Sequence, residues 1–251
     1  FNSPNDTLEQ AQINKKELIS KKLLLKEGQS VLDIGCGWGG MAAHIYKKSS
    51  ASVVGVTLSE EQYAYANQRK INEKLDKVEY RLQDYRNVNE SYDRIVSVGM
   101  FEHVGTSHYQ EFFNKVHDLL NDTGVALIHT IGRLTEPTNN DPWIEKYIFP
   151  GGYIPALSET MSRVEKSGLA LTDVQVLRFH YAETLKRWRY NFYDNIDKVK
   201  ELYDEKFCRM WDFYLSSSQA SFEEAGLVVF QLQLSKNKKT VPDRRDYMLT
   251  N

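Results

Sequence analysis

The sequence predicts an α/β protein built on an open, doubly wound, seven-stranded and mostly parallel sheet. Three observations carry this expectation. Five short apolar runs recur between residues 31 and 132. Helical stretches lie between them, and the first run ends in a glycine-rich turn. Short β-branched runs without alternation suit strands covered on both faces, and their interleaving with helices implies βαβ units.

In chain order, Thr7 to Leu25 reads as a helix leading into the first strand, Val31 to Ile34. Met41 to Lys48 is helical, and Val53 to Val56 is the second strand. Ser59, followed by Glu60, Glu61 and Gln62, starts a helix that runs to Lys74, because a serine hydroxyl can accept a bond from a free first-turn amide. Val78 to Leu82 and Ile95 to Val98 are the third and fourth strands, His108 to Leu120 is a helix, and Val125 to His129 is the fifth strand. The rhythm then breaks. Residues 133–157 hold four of the six prolines and read as a long loop. A helix over 158–167, a sixth strand over 170–178, an aromatic-rich helical region over 181–224 and a last strand from Leu227 to Ser235 complete the pattern. The basic tail after Lys236 reads as solvated.

Composition excludes several classes. The chain has 251 residues, 41% of them hydrophobic and 26% charged, which are globular rather than disordered values. A net charge of −2 offers no field for nucleic acid. Two cysteines, Cys36 and Cys208, cannot build a disulfide framework or a cysteine-based zinc site, and a reducing, intracellular setting is expected. No apolar run reaches the length needed to span a bilayer, and no signal peptide is visible at the start. Aromatic residues are 12% of the chain; they serve either as plain core packing or as the lining of an apolar ligand cavity.

The strongest local signal is Asp33-Ile34-Gly35-Cys36-Gly37-Trp38-Gly39-Gly40, between a strand and a helix. Glycines allow close backbone approach to a ligand, and the helix N-terminus presents free N–H groups. Such a turn can be structural, a dinucleotide loop or an S-adenosylmethionine loop. The spacing departs from G-x-G-x-x-G, and Asp33 stands where a ligand ammonium would need a partner, which favours the sulfonium cofactor. Thr57 and Leu58 lie at the end of the second strand, with Gln62 one helical turn on, where a ribose is expected; an ordinary helix cap explains them as well. Gln83, Asp84 and Tyr85 follow the third strand, where Asp84 can accept an adenine amino proton and Tyr85 can stack, or Asp84 is only a turn residue. Glu102 and His129 leave adjacent strand ends on the ligand edge, as a catalytic pair or as a buried structural one. One Glu and one His without a cysteine neighbour make a poor zinc site, so no metal is expected. No nucleophile elbow is present, which speaks against an α/β-hydrolase.

Taken together, these segments are specific. Asp-Ile-Gly-Cys-Gly-Trp-Gly-Gly is followed by Val-Val-Gly-Val-Thr-Leu-Ser, Gln-Asp-Tyr-Arg, Ser-Val-Gly-Met-Phe-Glu-His-Val-Gly and His-Thr-Ile-Gly. Later come Pro-Trp-Ile-Glu-Lys-Tyr-Ile-Phe-Pro-Gly-Gly and His-Tyr-Ala-Glu-Thr-Leu. The chain resembles the cyclopropane-fatty-acyl-phospholipid synthases and the related mycolic acid cyclopropane synthases, from about Asp6 to Lys236.

The resemblance implies a Rossmann-like class I methyltransferase fold with a helical lid. It also implies transfer of a methylene unit from S-adenosylmethionine to a cis double bond of a phospholipid acyl chain. It places Asp33, Gly35, Cys36, Gly37 and Gly39 along the methionine part of the cofactor, Thr57, Leu58 and Gln62 along the ribose, Gln83, Asp84 and Tyr85 around adenine, and Gly99 beside them. It implies a bicarbonate ion held by Glu102, His129, the Ile131 backbone and Tyr181, with a further cysteine from a Tyr-Ser-Cys stretch expected just before Phe1. Ser218 stands where a cysteine nucleophile was once considered in the family, which argues against covalent catalysis there. The resemblance divides the catalytic domain, 1–251, into an N-terminal helix over 1–30, a cofactor-binding half over 31–132, a loop and acyl-chain cover over 133–224, and a last strand over 225–235. It implies a cytoplasmic protein touching the inner membrane surface, a possible homodimer, and no nucleic-acid partner. An amine N-methyltransferase on the same scaffold and a catalytically inert lipid-binding domain are the competing readings.

Overall fold

The apolar runs of the first half are strands, and most are slightly longer than the runs themselves. A computed structural model, which describes residues 1–249, gives β1 (Ser30–Ile34), β2 (Ser52–Thr57), β3 (Val78–Leu82), β4 (Tyr92–Val98), β5 (Leu120–Arg133), β6 (Ala170–Leu177) and β7 (Leu227–Ser235). The helices are α1 (Leu8–Lys22), α2 (Gly40–Ser49), α3 (Glu60–Asn72), α4 (Tyr109–Leu119), α5 (Pro142–Tyr147), α6 (Leu157–Lys166), α7 (His180–Asp194), α8 (Ile196–Leu202), α9 (Glu205–Glu224) and α10 (Asp246–Leu249).

The seven strands form one sheet in the order β3-β2-β1-β4-β5-β7-β6. β1 to β5 pair in parallel, whereas β7 runs antiparallel to both β5 and β6. This is the expected doubly wound, mostly parallel architecture. The strand order reverses between β1 and β4, the point at which open α/β sheets bind ligands outside their carboxyl ends.

Two cores cover the sheet. Leu32, Ile34, Ile95, Ala126 and Ile128 pack against α4 and α6 on one face. Val31, Val53, Val78, Val96 and Leu127 pack against α1, α2 and α3 on the other. Burying each such aliphatic side chain contributes about 1.5–3 kcal/mol before entropy is subtracted. A third cluster joins α7 and α9 to β7, with Leu185, Leu215, Phe222 and Val229 at its centre. Ser59 caps α3 as expected, its hydroxyl accepting from the Gln62 amide at 3.2 Å.

Two segments, the 133–157 loop and the tail, differ from the sequence expectation. The 133–157 loop contains α5, a six-residue helix capped by Asp141, whose carboxylate accepts from the Trp143 and Ile144 amides. The aromatic region is helical as expected, in the three helices α7, α8 and α9. The tail folds back rather than standing in solvent. Val241 is buried, Tyr247 Oη accepts from Gln233 Nε2 at 3.0 Å, and Arg245 pairs with Asp173.

Candidate active site

The glycine turn after β1 is shaped by backbone that other residues do not readily adopt. Gly35, Gly37 and Gly39 all have positive φ. Gly39, at φ 76°, is the N-cap of α2 and makes no side-chain cap bond; of the first-turn amides of α2, that of Ala42 reaches the Asp33 carboxyl. A Cβ at Gly39 would stand 2.5 Å from Tyr80 Oη and 2.7 Å from its Cζ. Tyr80 is itself buried and donates to the Gly39 carbonyl at 3.0 Å, so the ring has no room to yield. Gly39→Ala is therefore expected to destabilise the protein by about 1–3 kcal/mol, from the left-handed backbone and overpacking together. Urea denaturation checks this; a loss below about 0.5 kcal/mol would mean that the turn is not constrained as described.

Asp33 lies beneath this turn, on β1 between Gly55 and Val96. It is 1% exposed, and its Oδ2 has no hydrogen-bond partner. Burial pushes its pKa up to about 7, only partly offset by the Ala42 amide in the first turn of α2. A buried carboxylate with an unused oxygen calls for a cationic ligand.

A cavity of about 590 Å³ opens at the carboxyl ends of β1, β2 and β4, within the range of small-molecule sites. Of the residues expected around a nucleotide, Gly35, Gly37, Thr57, Leu58, Gln62, Gln83, Asp84, Tyr85 and Gly99 all line it. Thr57 Oγ1 donates to Gln62 Oε1 at 2.8 Å, which holds two polar side chains together at the β2 end. Leu58 is 72% exposed, an apolar side chain offered to the cavity without a protein neighbour to cover it. Tyr85 packs edge-on against Phe112 at 5.6 Å, which fixes its ring. Asp84 accepts from the Arg86 guanidinium at 2.7 Å and from the Arg86 amide at 2.9 Å, so it is already ion-paired. Gln83 Nε2 donates to the Asn87 carbonyl.

Cys36 departs from its expected place. Its amide donates to the Val56 carbonyl, but its thiol is turned into the core beneath Gly55. Only its backbone belongs to the turn. Gly39 and Asp33 stand behind the cavity wall rather than on it. Arg86, Met100, His103 and His108 line the cavity and were not anticipated. Met100 follows Gly99 at the ligand edge of β4, and that position was the available signal.

The second cluster lies where β4 and β5 part. The Gly99 amide donates to the His129 carbonyl at 2.8 Å and ends that ladder. Beyond it a short turn, residues 101–103, carries Glu102. Phe101 anchors the turn in an aromatic nest, 4.3 Å from the Tyr109 ring and 5.1 and 5.3 Å from those of Phe112 and Phe113. Glu102 is buried; its Oε1 accepts from the Ile131 amide at 2.6 Å, and its Oε2 has no partner. Burial raises its pKa from the usual carboxylate value. The Ile131 amide, expected beside an anion, is thus committed to Glu102 in this structure. The Glu102 carbonyl accepts from the Tyr153 amide at 2.8 Å, which ties the 133–157 loop to the site.

His129 is half-buried, and its Nδ1 lies 3.2 Å from Gln231 Nε2. Its pKa is pushed down to about 3, first by burial and then by the Lys15 and Lys22 charges, so the ring is neutral. Tyr181 is packed 4.9 Å from Phe222 and 6.0 Å from Trp188. Its pKa is raised by burial, then by Tyr214 and Glu102, so the phenol keeps its proton. Ile131, Tyr181, Trp211 and Leu177 join the aromatic cluster of α7 and α9. Glu102 and Ile131 are in direct contact; Glu102 and His129 make no direct hydrogen bond among the described residues. No group of three or more metal-ligating residues occurs among the described residues.

The sequence pattern of the family described as mycolic acid cyclopropane synthetase matches residues 1–232. The chain belongs to this family. Within the cyclopropane synthetase family and its relatives, it is 41% identical over 231 residues to the cyclopropane-fatty-acyl-phospholipid synthase of Escherichia coli strain K12. That match covers 92% of this chain and 59% of the Escherichia coli protein, so the chain spans about three-fifths of that relative's length. The structure of the cyclopropane synthase MmaA2 from Mycobacterium tuberculosis superposes with a TM-score of 0.87 at 33% identity, covering 94% of this chain and 88% of that one. The mycolic acid cyclopropane synthase CmaA1, solved with SAH and CTAB, superposes with a TM-score of 0.86 at 33% identity, covering 93% of this chain and 87% of that one. The fold is accordingly that of the class I S-adenosylmethionine methyltransferases.

Proposed function

We propose that the chain is the catalytic part of an S-adenosylmethionine-dependent enzyme that converts a cis double bond of a phospholipid acyl chain into a cyclopropane ring. One observation supports this most. The buried Glu102 carboxyl, with its free Oε2, sits where β4 and β5 part, close to the edge of a nucleotide-sized cavity and beside a cluster of aromatic helices.

The residues divide the work. Asp33 and the glycine turn take the ammonium and carboxylate of the methionine part, using a buried charge and helix amides. Thr57, Gln62 and Tyr85 take the ribose and adenine. The alkene π electrons form the new C–C bond to the sulfonium methyl as the S–CH₃ bond breaks, leaving a cation on the acyl chain. Loss of a proton from the added methyl then closes the ring. Aromatic faces such as those of Tyr181 and Phe222 exclude water and favour the transient cation by about 0.5–2 kcal/mol per contact.

The residues also fit a bicarbonate ion. Tyr181 and neutral His129 are protonated donors, and Glu102 offers an oxygen with no other partner. Bicarbonate, when bound, supplies the base for the departing proton. Ile131 serves this site by fixing Glu102 through its amide. Contact with the inner surface of a membrane follows from the substrate; no described helix is long and apolar enough to cross one.

Mass spectrometry of unsaturated phospholipids incubated with the protein and S-adenosylmethionine tests the proposal. The expected product gains one CH₂ and no longer carries the double bond. A methylated amine instead, or no lipid product from protein that binds the cofactor, would replace this reading with an amine methyltransferase or an inert lipid-binding domain.

A further inference from the structure

His129 lies within β5 with one ring nitrogen already committed. Gln231 stands directly opposite it in the β5–β7 register, and Gln175 stands opposite Gln231 in the β7–β6 register. The three side chains form a polar row across three strands, on the sheet face that carries α1. Gln231 is 0% exposed, and its Nε2 lies 3.2 Å from His129 Nδ1. The row is anchored beyond the site. Gln175 Oε1 accepts from Lys22 Nζ at 2.6 Å, and Lys22 pairs with Asp173 at 3.6 Å. Two residues further along β7, on the same face, Gln233 Nε2 donates to the Lys22 carbonyl at 2.5 Å.

Burying glutamine side chains in a sheet that elsewhere packs Val, Leu and Phe is costly unless each amide has a task. Gln231 Oε1 has no partner, so the Nε2 contact to His129 is the one interaction its side chain makes among the described residues. A histidine's tautomer is set by the bond that its other nitrogen makes. An N–H donor on Nδ1 requires Nδ1 to be the unprotonated nitrogen, which leaves the proton on Nε2.

We propose that Gln231 is a positioning residue that holds His129 as the Nε2–H tautomer, so that His129 acts in the site only as a hydrogen-bond donor and never as a base. The catalytic consequence rests on the function proposed above; the tautomer itself does not. Lys15 and Lys22, which face the ring from α1, reinforce the assignment by opposing a second proton on it. The ring can then donate to an anionic oxygen, and taking a proton from the substrate falls to another group.

Nitrogen-15 NMR of the histidine-labelled full chain reads the tautomer directly, with the His129 resonances assigned by a His129→Gln variant. The parent is expected to show a protonated Nε2 and a bare Nδ1. Gln231→Glu places an acceptor at the same point and is expected to invert the pattern. Gln231→Met, similar in length but without a donor, is expected to give a mixture of tautomers. Both variants are expected to bind S-adenosylmethionine as the parent does and to turn over about ten- to a hundredfold more slowly, the range seen when a histidine's orienting partner is removed from a metal site. A protonated Nδ1 in the parent, or a tautomer unchanged in both variants, would overturn the proposal. A tautomer that responds as expected in a protein that makes no cyclopropane lipid would leave Gln231 its positioning role and remove the proposed reaction.

Discussion

Glu102→Gln is expected to slow turnover by about a hundredfold or more while S-adenosylmethionine affinity stays within about threefold, the scale of losing a group that takes and returns a proton. The separation follows from where Glu102 stands. It does not line the nucleotide cavity, and its Oε1 is occupied by the Ile131 amide. A glutamine carbonyl keeps that bond, so the turn that carries residue 102 stays in place. What is lost is the second oxygen. Burial brings the Glu102 carboxyl toward a range in which it can share a proton with a bound anion, and an amide cannot do this. Calorimetry with S-adenosylmethionine and a turnover assay on the same preparation separate the two effects. Equal loss of both would make Glu102 a structural residue. Bicarbonate-depleted buffer is expected to slow the parent in the same assay, with recovery on adding bicarbonate back; indifference to bicarbonate would remove the ion from the site.

Asp33→Asn is expected to weaken S-adenosylmethionine binding by about a hundredfold or more, since removing one partner of a buried ion pair costs about 3–5 kcal/mol. The same change is expected to stabilise the cofactor-free protein at neutral and alkaline pH. The sign follows from proton binding. The Asp33 pKa is raised from 3.8 in the unfolded chain to about 7 in the fold, so the folded state holds a proton that the unfolded state releases. Stability therefore falls as pH rises between these two values, by up to about 4 kcal/mol at about 1.4 kcal/mol per unit. An asparagine at this position carries no charge and escapes that penalty. Urea denaturation at pH 4 and pH 8, without cofactor, checks this: parent and variant should coincide at the lower pH and separate at the higher. A parent at least as stable as Asp33→Asn at pH 8 would show that the carboxylate has a partner in the apo protein. On the function proposed above, a ligand ammonium would relieve this destabilising buried group.

What could be read from the residues alone follows a physical divide. Val31 to Ile34 and Ile95 to Ser97 are buried on both faces, and a mainly apolar run without polar alternation, broken only by Asp33 and Ser97, is what such burial requires. The glycine turn and the Ser59 cap are local chemistry and were legible for the same reason. The start of β5 was not, because Asn121-Asp122-Thr123-Gly124 has the composition of a turn. Helix α5 is too short to show a period. The docked tail depends on Arg245 and Tyr247 meeting Asp173 and Gln233, partners set by the topology rather than by neighbouring sequence. In the candidate site, residue types pointed to Thr57 and Gln62, which line the cavity, and to Asp33, which is buried beneath the glycine turn. The same types left unread that the Cys36 thiol packs into the core and that Asp84 pairs with Arg86. Gln231 carried no signal at all, since its partner is on another strand.

The antiparallel strand β7 lies between β5 and β6, and its Ser235 pairs with Val125. Every residue of the nucleotide cavity, and Glu102 as well, is encoded before residue 134. Yet until β7 arrives, β5 is an open edge with His129 on it, and Tyr181 has no Phe222 to rest against. During synthesis the strands and turns that line the cavity can therefore come together first, while the aromatic cluster of α7 and α9 waits for the last strand to close a loop of about a hundred residues. The surroundings of Glu102, His129 and Tyr181 are completed late in time as well as in sequence, and a chain stopped short of β7 would keep the cavity at the carboxyl ends of β1, β2 and β4 but lose the packing around His129 and Tyr181.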